Sequence, residues 1–183
     1  MNKAYTFRII VLILIIVGIK SPFYISAQGI DLYGGLGATF CDFPDFEKQW
    51  GINIRGYVGF TDKFRVAPSF SYFQPEEYSK HGFSQKTTFY EINLDLQYDL
   101  YSSSEFQGYP LIGFNISRYK VETDSWLAPQ DPVEKTGIGF NLGFGGSYYF
   151  IDYLGAFTEL KYAIANKDLA HFGLAIGLIY YIL

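Results

Sequence analysis

Residues 90–100 read Tyr-Glu-Ile-Asn-Leu-Asp-Leu-Gln-Tyr-Asp-Leu. Every even position from Tyr90 to Leu100 is aliphatic or aromatic, and every odd position from Glu91 to Asp99 is polar or charged. A period of two is the mark of an extended strand, whose successive side chains leave opposite faces of the backbone. This segment therefore has one wholly apolar face and one wholly polar face. A soluble β-sandwich could use such a strand too, with a core on one side and water on the other. The other strands decide between the two settings.

The same period recurs on both sides of this segment. It predicts eight strands at 29–40, 50–61, 64–74, 87–101, 106–120, 136–150, 153–164 and 169–183. Most match the roughly 9–11 residues that a tilted strand needs to cross a bilayer. The connections alternate in kind. Thr61-Asp62-Lys63, Ser102 to Glu105 and Ile151-Asp152 are tight, whereas 41–48, 75–86 and 121–135 are longer and richer in Pro and charge. Only Ala165 to Asp168 is short where a long link is expected. Short turns at one end and long loops at the other characterise outer-membrane barrels.

The faces point the same way. Ile52, Ile54, Val58 and Phe60 oppose Asn53 and Arg55; Ile138, Phe140, Leu142 and Phe144 oppose Asn141 and several glycines. Across all strands the apolar face carries charge only at Arg118 and Lys120, at the far end of the fifth strand. A charge facing mid-membrane lipid costs about 2–4 kcal/mol, which accounts for that distribution. Aromatics such as Phe40, Phe60, Phe64, Tyr72, Tyr90, Tyr98, Tyr148 and Tyr180 gather near strand ends, as interfacial girdles do. The polar face, rich in glycine, would then line a narrow interior. A lipocalin-like soluble binder would need the opposite assignment. Pro68 falls inside a strand, where it cannot donate to the ladder, and predicts a bulge.

The first 27 residues read as a cleaved signal peptide. Lys3 and Arg8 precede an apolar run from Ile9 to Ile19, too short to span a membrane as a helix, and Ile25-Ser26-Ala27 ends on a small residue suited to cleavage. Residues 28–183 would form the barrel domain. Removal of Lys3, Arg8 and Lys20 leaves 14 − 3 = 11 bases against 18 acids, a net charge of −7. That excess of acid argues against a nucleic-acid partner. Cys41 is the only cysteine, so no intrachain disulfide forms, and it lies too far past the cleavage point to anchor a lipid.

Tyr109-Pro110-Leu111-Ile112-Gly113-Phe114, the run Gly139 to Gly146 and the alternating final strand with Gly177, Tyr180 and Ile182 together resemble the OmpA/OmpX-type eight-stranded outer-membrane β-barrels. The resemblance covers essentially all of 28–183. It implies an all-β, antiparallel, up-and-down transmembrane barrel that contacts outer-membrane lipid and lipopolysaccharide, acts as a monomer and is inserted by the barrel-assembly machinery. Family members commonly end on Phe or Trp; this chain ends on Leu183.

An eight-stranded barrel encloses little more than its own side chains. Arg55, Arg65 and Lys161 are therefore expected to pair inside with Asp31, Glu91, Asp95, Asp99 and Glu159, closing the lumen. The alternative for these carboxylates is acid–base catalysis. Arg118 and Lys120 are placed to contact lipopolysaccharide phosphates or to snorkel at the interface. His81 and His171 read as loop and rim residues with no serine partner, no Cys/His spacing suggests a metal, and no cofactor motif is present. Three functions stay open: a structural or surface-interaction barrel working through its loops, an accessory of secretion or envelope assembly, and a lipid-A-modifying enzyme.

Overall fold

The computed structural model describes residues 31–42, 48–80, 83–125, 131–165 and 169–182. The expected signal peptide, His81 and Trp126 lie outside them. Ten strands follow one another: β1 (Asp31–Asp42), β2 (Gln49–Gly59), β3 (Phe64–Phe73), β4 (Glu76–Lys80), β5 (Phe83–Tyr98), β6 (Tyr101–Ser102), β7 (Phe106–Ser125), β8 (Val133–Ile151), β9 (Leu154–Ile164) and β10 (His171–Tyr181). Eight of these, all but β4 and β6, pair antiparallel with their neighbours in chain order, and β1 pairs with β10 to close the barrel. Closure leaves no free edge among the eight.

The closing seam depends on facing glycines. Gly37 of β1 stands opposite Gly177 of β10. A Cβ on Gly37 would lie 2.9 Å from Gly177 Cα, and one on Gly177 would lie 2.5 Å from Gly37 Cα. Any side chain here meets backbone that cannot swing aside.

Alternation holds around the wall. Ile54 is 56% exposed while its neighbour Asn53 is 1% exposed. Leu36, Ile52, Leu94, Ile112, Phe114, Leu142 and Ile176 all point outward, and Asn93, Asp95, Asn115, Asn141 and Glu159 point inward. This is the inverse of a lipocalin-like binder. Rings band both ends of the outer face. Phe60 stacks on Phe64, Phe64 meets Tyr98, and Tyr153 meets Tyr180 at the turn end, while Tyr162 and Phe172 pair near the opposite end.

Local chemistry sets the short turns. Thr61 Oγ1 accepts from the backbone N–H groups of Lys63 and Phe64, at 3.3 and 3.0 Å, and reverses the chain between β2 and β3. Ser103 does the same before β7, its Oγ accepting from Phe106 N at 3.0 Å.

Two expectations need correction. Pro68 produces no bulge: the β2–β3 register is the same on both sides, and pairing merely lapses where Gly56 and Tyr57 face Pro68 and Ala67. Gly56 has no side chain to crowd the ring, so the strand passes straight. The register shift falls instead between Tyr149 and Ile151, at the turn end of β8. Secondly, the presumed loops 75–86 and 121–135 hold strand over much of their described residues, at 76–80, 83–86, 121–125 and 133–135. β4 and β5 form a hairpin from Glu76↔Thr87 to Lys80↔Phe83, and β5 stays paired with β7 out to Phe83↔Ser125. β7 and β8 remain paired to Val121↔Val133, whereas β9 joins β8 only from Phe140↔Ile164. The outcome is a four-stranded wall, β4–β5–β7–β8, rising beyond the barrel on one side. Thr87, Thr88, Val121 and Val133 are β-branched residues that favour this extension.

Candidate functional site: the interior and the wall

The interior is layered. At the turn end, Tyr57, Ala67, Phe157, Ala175 and Ile179 form a buried apolar cluster, flanked by Tyr33 and Tyr149. At the loop end, Cys41, Phe73, Phe89 and Leu169 form a second one. Sequence reasoning treated the inward face as polar and missed both. Tyr57, Phe73, Phe89 and Phe157 occupy inward positions in the alternation, and that alone could have revealed them.

A ladder of ion pairs runs from the turn mouth, on the outer side of the first cluster, up to the second. Arg65 Nη2 lies 2.8 Å from Asp99 Oδ1, and Arg65 Nη1 donates to Gln107 at 2.6 Å. Arg55 Nη1 lies 2.6 Å from Glu159 Oε2, with both side chains 1% exposed. The Arg55 guanidinium also sits 4.0 Å from the Phe157 ring centroid. Glu159 further accepts from Gln97 at 2.8 Å and from the Tyr109 hydroxyl at 3.0 Å. Next, Lys161 Nζ lies 3.0 Å from Asp95 Oδ2, while Asn141 donates to Asp95 Oδ1 at 2.8 Å. Asn115 and Asn141 both donate to Asn93 Oδ1, at 2.7 and 2.9 Å. Finally, His171 Nε2 lies 2.7 Å from Glu91 Oε1.

Seven of the eight expected residues thus meet inside: Arg55, Arg65, Glu91, Asp95, Asp99, Glu159 and Lys161. Asp31 does not. It is exposed at the start of β1, where the Tyr181 hydroxyl reaches it at 3.4 Å. The strand begins there, so the residue stands at the mouth and water solvates it. His171, expected at the rim, is instead 3% exposed and supplies the partner for Glu91. Its position as the first residue of β10 concealed this, because a strand's start does not disclose how far inside the barrel it lies. Amid the ladder remains a cavity of about 10 Å³ bounded by Glu91, Asn93, Asn115, Asn141, Lys161 and His171, among others.

The wall carries pairs of its own. Lys86 Nζ meets Glu77 at 2.8 Å, Lys120 Nζ meets Glu122 at 2.6 Å, and Arg118 pairs with Glu134. Arg118 and Lys120 are therefore neutralised by acids on the same wall. Tyr78 and Val133 stand exposed there, at 58% and 55%.

No family profile matches the sequence, and comparison with curated proteins finds no relative. Solved structures do match. Neisserial surface protein A aligns at 16% identity over 86% of this chain and 99% of its own, with a TM-score of 0.61. The outer membrane protein OprG from Pseudomonas aeruginosa aligns at 14% identity over 86% and 98%, with a TM-score of 0.60. The fold is the eight-stranded outer-membrane β-barrel. Ail, the attachment invasion locus protein of Yersinia pestis, solved with the heparin analogue sucrose octasulfate, also shares this barrel at 13% identity over 84% and 97%, with a TM-score of 0.61. At such identities the likeness defines architecture, and the barrel's interior and wall are read from its own residues.

Proposed function

We propose that this chain is an integral outer-membrane protein, non-catalytic, with a lumen closed by its own side chains and a working surface on the β4–β5–β7–β8 wall. The observation that carries this reading is the wall itself. Three barrel strands run on past the others on one side, and strand continued beyond the hydrocarbon serves no purpose in spanning it. The outward apolar band and the aromatic girdles support residence in lipid. The ion-pair ladder, with a cavity holding about one water, supports a closed lumen. His171 supports the non-catalytic reading, since its ring nitrogens are engaged by Leu169 O and Glu91 inside the barrel.

The chemistry of the wall bears on its partner. Three of its bases, Lys86, Arg118 and Lys120, are matched by acids on the same wall, so these three form no unopposed cationic patch. A polyanion of the kind bound to Ail in its crystal structure finds no complement in them, and lipopolysaccharide phosphates gain little from the paired Arg118 and Lys120. A neutral or mixed-charge protein or glycan surface, gripping Tyr78 and Val133, suits the wall better. The closing strand β10 would be the segment read by the assembly machinery, and the barrel would stand as a monomer. Protease treatment of intact cells tests the orientation: cleavage at wall lysines such as Lys86 and Lys120 is expected with the barrel spared. Protection until the envelope is broken would place the wall on the inner side and refute a surface role.

A further inference from the structure

Three side chains from three separate strands meet at the loop-end apolar cluster, of which Cys41 is a member. Cys41 belongs to β1, Glu91 to β5 and His171 to β10, and all three are buried. One ligand atom from each lies within 4.8 Å of the others: the Cys41 sulfur, a Glu91 carboxylate oxygen and a His171 ring nitrogen. Their orientation is set from outside the trio. His171 Nδ1 lies 2.9 Å from Leu169 O. A carbonyl only accepts, so Nδ1 carries a proton and Nε2 is the nitrogen turned towards Glu91. Metal-ligating histidines are commonly held in this way, the second ring N–H given to a backbone carbonyl or carboxylate. Asn115 Nδ2 donates to Glu91 Oε1 at 3.3 Å and steadies the carboxylate. The cavity of about 10 Å³ touches Cys41, Glu91 and His171 alike.

We propose that Cys41, Glu91 and His171 bind one Zn²⁺ ion inside the barrel, with a water molecule as the fourth ligand. Sulfur, imidazole nitrogen and carboxylate oxygen are all donors that zinc accepts, at about 2.0–2.3 Å. Tetrahedral geometry at those lengths places ligand atoms about 3.3–3.7 Å apart. The contacts here bracket that spacing, from 2.7 Å between His171 and Glu91 to a limit of 4.8 Å for the set. Small side-chain shifts therefore suffice. The ion also leaves the ligands' charges balanced, and Lys161, which borders the same cavity, is already held by Asp95. Without metal, an imidazolium beside a carboxylate and a neutral thiol sum to zero. With Zn²⁺, the thiolate and carboxylate balance the ion and the imidazole is neutral, which again sums to zero. Binding exchanges one Zn²⁺ for two protons, one from the Cys41 sulfur and one from His171 Nε2, both released to solvent. The low-dielectric interior is thus asked to hold no added charge. Phe73, Phe89 and Leu169, packed on Cys41, exclude water from the sulfur side.

Cobalt(II) is the probe, since a Co²⁺–thiolate bond has its own charge-transfer absorption. The full chain is refolded in detergent micelles, with Co²⁺ supplied either before or after folding. The expected result is a charge-transfer band saturating at one ion per chain and displaced by Zn²⁺. Cys41 is the only cysteine, so the band by itself identifies the sulfur ligand. His171→Gln should weaken binding at least about 10-fold. Cys41→Ala, which suits the apolar layer around it, should abolish the band while the barrel still folds. No band under either order of addition overturns the site, as does a His171→Gln chain with undiminished affinity.

Discussion

Replacing Glu159 with glutamine tests the interior ladder most directly. The substitution keeps the shape of the side chain and removes its charge. Arg55 would remain 95% buried or more, its guanidinium pressed against Phe157, with no anion in place of the one now 2.6 Å away. Breaking one half of a buried pair costs about 3–5 kcal/mol, because the surviving charge is left uncompensated. The amide can still accept from Gln97 or Tyr109, which places the expected loss near the lower figure, about 3 kcal/mol. Combining Glu159→Gln with Arg55→Met removes the stranded charge while keeping an acceptor for Gln97 and Tyr109, and should recover most of that loss. The assay is reversible urea unfolding in lipid vesicles, followed by tryptophan fluorescence. A Glu159→Gln loss under about 1 kcal/mol would refute the reasoning, and so would a double variant less stable than the single one.

On the outer face, Leu94→Arg should cost about 2–4 kcal/mol in the same vesicles, whereas Leu100→Arg, beyond the end of β5, should cost about 0–1 kcal/mol; equal costs would deny that depth in lipid matters. At the seam, Gly37→Ala should destabilise by about 1–3 kcal/mol, because its Cβ meets Gly177 Cα, while Gly34→Ala, 3.5 Å from the flexible end of Ile182, should be near neutral. Planar-bilayer recording of the refolded barrel should show no stable conductance of porin size, and such a conductance would move the function to transport. Intact-mass analysis of the membrane-extracted protein should find Gln28 as the first residue; retention of Met1 to Ile19 would make it an anchored protein instead.

The barrel wall was legible in the sequence because lipid penalises charge on one face of every strand, and that penalty writes a period of two along the chain. The ladder was legible in part by the same route: residues such as Arg55 and Glu159 are inward because Ile54 and Leu160 are outward. Which base meets which acid was not legible, since Arg55 and Glu159 come from β2 and β9, and only closure of the barrel brings them together. Asp31 shows the limit of alternation, which assigns a face but not a depth. His171 and Cys41 show the same limit, because a residue near a strand end reads as rim until the stagger of the strands is known. The wall escaped for a different reason. Polar, charged sequence at 76–86 and 121–135 reads as loop by composition, yet backbone pairing continues wherever two chains stay in register.

The ladder also bears on how the barrel forms. Arg55 with Glu159, Asp95 with Lys161 and Glu91 with His171 each join strands that are not neighbours in the sheet. None of these contacts exists while the sheet is open between β1 and β10, and every one of those charges would then face a solvent-poor gap unpaired. The stabilisation therefore arrives only at the last step, after nearly all the loop-closure entropy has been spent. Such a chain should cross its main barrier late, with contacts of high sequence separation, and fold slowly and all at once. Partly zipped sheets would hold only the interior contacts between neighbouring strands, such as Asn115 with Asn93, and would reopen more readily, so the lock inside the barrel also proofreads its strand count.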